Sequence, residues 1–195
     1  MIKTTLIATA VLVGFSLSNC SPNEQKKQDK PTTAKEACSS PMSAADSAKA
    51  MSTQIEIKGE VEHPLVLTVD SLKQMKVVDI TDLKVVCQNG MAPKLGKSGK
   101  GVLLKDLLDK AKIIQKGHKD RNFYIVARAT DNYMATFSWA ELFNSNTGDS
   151  TFVMFEENGQ PIKNTGNFVL NCTSDIKTGI RHVRWLKSIE VYRVN

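Results

Sequence analysis

From about residue 54 onward the chain breaks into short apolar runs separated by glycine, proline, asparagine and aspartate. Runs of this length, with apolar and polar residues alternating, fit half-buried strands rather than the long helices of a bundle. Ile55-Glu56-Ile57-Lys58 alternates cleanly and stops at Gly59, and Pro64-Leu65-Val66-Leu67 begins a second run. Further strands are expected at 77–80, 83–87, 123–129, 133–137, 152–155, 168–172 and 189–194, with Asn158-Gly159 as a hairpin signal. Helical patterns are fewer. A short one follows Thr68 or Asp70 and carries Leu72 and Met75. An amphipathic one at 102–113 sets Leu103, Leu104, Leu107, Leu108 and Ala111 at helical spacing. Ser138 and Glu141 form a capping box that opens a third. Many short strands with a few short helices predict an α+β domain built on mixed sheets.

The domain is expected to span 54–195, preceded by two segments of different character. Residues 1–20 combine Lys3, an uncharged apolar run from Leu6 to Phe15, and Leu17-Ser18-Asn19-Cys20. The apolar run is short for a bilayer span and reads as a signal peptide. Its ending resembles a lipoprotein box, with Cys20 as the lipidated residue, so the mature chain is expected to be exported and anchored on the periplasmic side of a bacterial membrane by lipid alone. Residues 21–53 are rich in Ser, Ala, Lys, Gln and Thr and contain Pro22, Pro31 and Pro41. They read as a tether, because such a composition buries too little surface to offset its ordering entropy. Cys38 lies in it and reads as an incidental thiol or as a bridge to the domain.

An oxidising compartment makes the cysteine count informative. With Cys20 set aside, Cys38, Cys87 and Cys172 remain, an odd number, so at least one is free, bound to a ligand or paired with another molecule. The formal charge is +6, and the domain itself carries about +4 of it, so the basicity is more than a tail effect. Aromatic residues make up 6% and are not interleaved with basic ones, which argues against nucleic acid as the partner.

The stretch Leu83–Gly101 concentrates the chemistry. It reads as a strand ending in Cys87, a turn through Gln88-Asn89-Gly90, and then a loop of glycines and lysines up to a helix. The spacing between Gly90 and Gly96-Lys97-Ser98 is one residue too long for a Walker A loop. No haem-attachment motif, zinc-type cysteine pair or histidine pair at metal spacing is present. His63 and His118 read as surface residues. His182 sits in Gly179-Ile180-Arg181-His182-Val183-Arg184-Trp185, where arginine forks suit an anionic group.

Taken in order, these segments resemble the molybdopterin-binding domain of the sulfite oxidase family. The matching pieces are Ile57-Lys58-Gly59-Glu60-Val61, Cys87-Gln88-Asn89-Gly90, Gly101–Leu108, Asp131-Asn132-Tyr133, Asn158–Ile162 and Gly179–Leu186. The resemblance implies a molybdenum-molybdopterin cofactor with Cys87 as its metal ligand, since thiolate is a soft donor. Asn89, Gly179, Arg181, His182 and Arg184 would then hold the cofactor, and Arg181 with Cys87 would be catalytic. The implied function is oxygen-atom transfer to or from a small anionic substrate, with an electron-transfer protein as partner. By the same resemblance the basic loop after Cys172 faces the Cys87 loop. A Cys87–Cys172 disulfide is therefore the alternative to metal ligation, and it implies a non-catalytic binding module on the same fold.

Overall fold

The structure is a computed structural model that describes residues 51–194. The expected signal peptide, the lipid-modified Cys20, Cys38 and nearly all of the tether lie outside those residues. Among the described residues ten strands build two sheets. The first holds β2 (Leu65–Leu67), β1 (Ile55–Gly59), β10 (Leu186–Arg193), β5 (Phe123–Ala129) and β6 (Met134–Ser138), in that order. Its one parallel pair is β1 with β10, where Glu56 lies opposite Ser188 and Gly59 opposite Val191. The second sheet runs β3 (Val78–Leu83), β4 (Lys97–Leu103), β7 (Thr151–Glu157) and β8 (Gln160–Pro161), and β9 (Val169–Cys172) also pairs with β7. Among the described residues there are three short α-helices: α1 (Val69–Lys73), α2 (Leu104–Ala111) and α3 (Trp139–Phe143). The α+β expectation holds.

Alternation along the strands makes the main core. Ile55, Ile57, Ile125, Ala127, Phe137, Ile189 and Val191 turn inward from the first sheet. They meet Leu104, Leu107, Leu108 and Ala111 of α2 and Val153, Leu170 and Cys172 of the second sheet. A smaller cluster of Ile80, Leu83, Leu103, Phe152, Met154, Ile162 and Val169 covers the opposite face of the second sheet. Both capped helices use the expected devices: Thr68 caps α1, and Ser138 with Glu141 forms the box on α3.

Two boundaries differ from the sequence reading. Residues 97–101 are strand, not loop, so the helix begins at Leu104 rather than 102. The glycines there serve close packing: a Cβ on Gly101 would lie 2.6 Å from the Val153 carbonyl oxygen, and one on Gly99 would lie 2.4 Å from the Met154 side chain. The run 83–87 is not a separate strand. One strand continues to Leu83 across an irregularity at Asp82, whose φ is +52°, and residues 84–87 leave the sheet.

On the other face of the first sheet, Glu190 is 7% exposed. It accepts hydrogen bonds from Arg128 at 3.0–3.3 Å, Ser188 at 2.9 Å and Tyr192 at 2.7 Å. Arg128 first, then the two hydroxyls, hold its carboxyl down at about 2 against the opposing effect of burial. A depressed carboxyl contributes stability that is present above its ordinary pKa of 4.5 and lost as the pH falls toward 2. Glu190→Gln is therefore expected to cost about 1–2 kcal/mol at pH 7, Arg128 being partly solvated, and much less at pH 2.5. Urea unfolding at the two pH values checks this, and an equal cost at both would exclude the charge as its source.

Candidate functional site

The segment from β9 to β10 is bolted onto the Cys87 loop. Thr178 is the bolt: its hydroxyl donates to the Lys84 carbonyl at 2.7 Å and accepts from the Val86 N–H at 2.8 Å. The Gly179 N–H adds a bond to the Val86 carbonyl at 2.8 Å. A Cβ on Gly179 would lie 2.9 Å from that oxygen, so only glycine lets the two backbones come this close. These bonds take the partners that a strand at 84–87 would have used. Cys87 follows at once and closes a turn: its carbonyl accepts from the Gly90 N–H at 2.9 Å and its N–H donates to the Met91 carbonyl at 2.8 Å. Asn89 is exposed, and its side-chain oxygen accepts from the Met91 N–H. Sequence reading thus brought Cys87 and Gly179 together correctly but missed Thr178, whose role shows only once the two segments meet.

Cys87 is 6% exposed and is held in a disulfide. Its partner is not Cys172, which is a free, fully buried thiol with its sulfur 3.4 Å from the Ser174 hydroxyl. The expected Cys87–Cys172 bridge is therefore corrected. The reason is strand alternation: Cys172 and Leu170 share the face of β9 that enters the main core, whereas Cys87 belongs to neither core cluster.

Arg181 is also placed differently from the anion-binding role expected of it. Its Nε donates to Asp175 at 2.7 Å, a second nitrogen bonds the other Asp175 oxygen, and Nη1 donates to Glu141 at 2.9 Å. The guanidinium also lies over the Phe137 ring, 4.6 Å from its centre. Asp175 above all holds Arg181 in its charged form. Two carboxylates around one cation leave the cluster with net negative charge, so Arg181 is a structural clamp and a poor host for an anion. It lines an open cleft of about 650 Å³ between Tyr133–Thr136 of the first sheet's edge and residues 174–181. Cys87 does not line this cleft.

His182 and Arg184 keep their binding capacity. His182 Nδ1 is buried with no hydrogen-bond partner, as is Trp185 Nε1. Burial first, then the nearby Arg184 and Lys97, push the imidazole down to about 4, so it is neutral at pH 7. Arg184 is half-buried, stacks 4.4 Å over the Trp185 ring and makes no ion pair among the described residues. Burial lowers its pKa, and Asp131 opposes that only in part. His63 and His118 are exposed, as expected. Among the described residues no group of three or more His, Cys, Asp or Glu side chains could hold a metal ion by itself.

The family model described as the oxidoreductase molybdopterin binding domain matches residues 41–195. The chain belongs to that family. The match begins ahead of residue 54, inside the stretch read as tether. Among solved structures the chain is similar to the sulfane dehydrogenase SoxCD from Paracoccus pantotrophus, with a TM-score of 0.51 and 19% identity. The alignment covers 71% of this chain and 38% of that one, so this domain matches well under half of the longer protein. At that identity the likeness concerns the fold. No curated protein matches the chain.

Family membership implies molybdopterin, which presents a polar pterin ring and a phosphate. The residues at hand fit the organic part: two buried ring nitrogens without partners, on His182 and Trp185, and the Arg184 guanidinium, which makes no ion pair among the described residues. A phosphate or a pterin edge offers the acceptors and donors that such groups require. Cys87 could serve as a soft donor only as a thiolate, that is, with its disulfide opened.

Proposed function

We propose that this domain binds molybdopterin with His182, Arg184 and Trp185 on the organic part and Cys87 on the molybdenum, and acts as an oxidoreductase on a small anionic substrate. The observation that carries the reading is the pinning of the Cys87 turn by Thr178 and Gly179, the start of the segment in which His182 Nδ1 and Trp185 Nε1 are buried without hydrogen-bond partners. When bound, the cofactor would supply the redox chemistry, an oxygen-atom transfer. The chain's own part is narrower. Thr178 and Gly179 fix the turn from which Cys87 reaches the metal, Arg181 fixes the segment that carries His182 and Arg184, and neutral His182 exchanges one hydrogen bond without adding charge. As part of the same proposal the chain is exported, anchored by lipid on Cys20, and passes electrons to a separate protein.

A second reading is favoured by the disulfide on Cys87 and by the neutralised Arg181: a non-catalytic binding module on the family fold. Elemental analysis separates the two. Exported protein reduced with a dithiol and supplied with molybdenum-loaded molybdopterin is expected to retain close to one molybdenum per chain, and Cys87→Ser is expected to lose at least nine-tenths of it. Metal-free protein in both cases excludes the enzyme and leaves the module.

A further inference from the structure

We propose that the outer edge of β6 takes an extended segment of a protein partner as an added strand of the first sheet, with apolar side chains at alternate positions and a carboxylate held by Lys177. The function proposed above enters only in what such a partner would bring to the Cys87 turn. β6 ends its sheet among the described residues. The Ala129 N–H donates to the Tyr133 carbonyl at 2.9 Å, so antiparallel alternation turns the backbone groups of Tyr133, Ala135 and Phe137 toward β5 and those of Met134 and Thr136 outward. None of the described residues bonds these outward groups.

Open edges are usually blunted by charge, proline, short length or a covering segment. The other edges here are blunted in these ways. β2 has 3 residues and follows Pro64, β3 carries Asp79 and Asp82, β8 has 2 residues and ends in Pro161, and β9 is bridged to Val183. β6 reads Met-Ala-Thr-Phe-Ser, with neither a charge nor a proline.

The edge is one wall of the open cleft of about 650 Å³, and residues 174–181 form the other. Tyr133, Met134, Ile176 and Ile180 line the cleft and are exposed, Ile176 by 88%. An apolar rim beside a row of unfilled backbone donors and acceptors fits an extended backbone with alternating apolar side chains. Charge narrows the occupant further. Asp175 and Arg181 in the cleft wall answer each other. Lys177 in the same wall is half-buried and makes no ion pair among the described residues. A Cβ on Gly90 would lie 3.1 Å from the Lys177 Nζ, so this cation stands over the Cys87 turn. The occupant therefore carries a carboxylate at that point. A second copy of this chain fits less well, because it brings the same wall and the same cation instead of the carboxylate that the groove lacks.

The test uses full-length exported protein and the probe peptide acetyl-Glu-Val-Thr-Ile-Thr-Val-Glu-amide, which offers a carboxylate in either strand direction. The peptide is expected to slow amide exchange at Met134 and Thr136 about tenfold and to leave Ala135 and Phe137, already bonded to β5, unchanged. Of two versions N-methylated at alternate residues, one should bind and the other should not, because a single edge of the peptide meets β6. Lys177→Gln and Ile176→Asp should each weaken binding about fivefold. No binding at about 2 mM, equal binding by both methylated versions, undiminished binding by both variants, or binding that leaves Met134 and Thr136 unprotected overturns the proposal. Protection of those amides that rises with protein concentration in the absence of peptide also overturns it, and gives the groove to a second copy. Molybdenum content plays no part in these readouts, so they stand even where the cofactor reading falls.

Discussion

Arg181→Ala is expected to destabilise the domain by about 3–4 kcal/mol, with the midpoint of urea unfolding shifted down and the slope unchanged. The guanidinium is 16% exposed and the Asp175 carboxylate 18%, so little water screens that pair. Glu141 is 42% exposed and contributes less. Deleting the cation removes the stacking on Phe137 and leaves two carboxylates facing each other without a counter-charge. Arg181→Lys keeps the charge but not the two-pronged contact with Asp175, and is expected to recover about half of the loss. Asp175→Asn should cost less than Arg181→Ala, because Glu141 still answers the guanidinium. If instead Arg181→Ala were close to neutral in stability while abolishing anion binding, the clamp would be wrong and the guanidinium would be a binding group after all.

This outcome bears on how much of the site was legible in the sequence. The Arg181–Trp185 run reads as a basic face because its neighbours in sequence are Lys177, Arg184 and Lys187. Its neighbours in space include Asp175, six residues earlier, and Glu141, forty residues earlier on the first turn of α3. Glu141 was recognised for its capping box, and the structure shows the same carboxylate doing both jobs: Oε2 accepts from the Ser138 N–H and Oε1 from Arg181. A local motif gave no sign of the second contact. The strand pattern, by contrast, was legible because period-two alternation is local. It failed at Gly99 and Gly101, where absent side chains looked like loop and instead allow close strand packing against β7. The Cys87 turn was legible from Asn89-Gly90. The identity of its sulfur's partner was not, because resemblance placed two loops together without fixing which way Cys172 points.

His182 gives the second large effect, and it is one of pH. Burial, Arg184 and Lys97 hold its imidazole at about 4, against an ordinary value of 6.5. The folded state thus resists a proton that the unfolded chain accepts. A lowered histidine contributes stability that is complete above 6.5 and lost as the pH falls through 4, so the window is pH 6.5 to 4. A difference of this size corresponds to about 3 kcal/mol at its limit. Urea unfolding of the wild type is expected to lose most of that between pH 7 and pH 4. His182→Gln, which cannot take a proton, should be flatter across the same window, leaving the fall below 4.5 that Glu190 produces. The same residue reports on ligands. A phosphate dianion placed beside His182 and Arg184 would favour the imidazolium, so saturating molybdopterin or a phosphate monoester should raise the His182 pKa by one unit or more, read by NMR of the imidazole proton. A pKa that stays at about 4 with ligand bound would place the phosphate elsewhere on the domain. Equal acid loss in the wild type and His182→Gln would instead show that other groups carry the pH dependence.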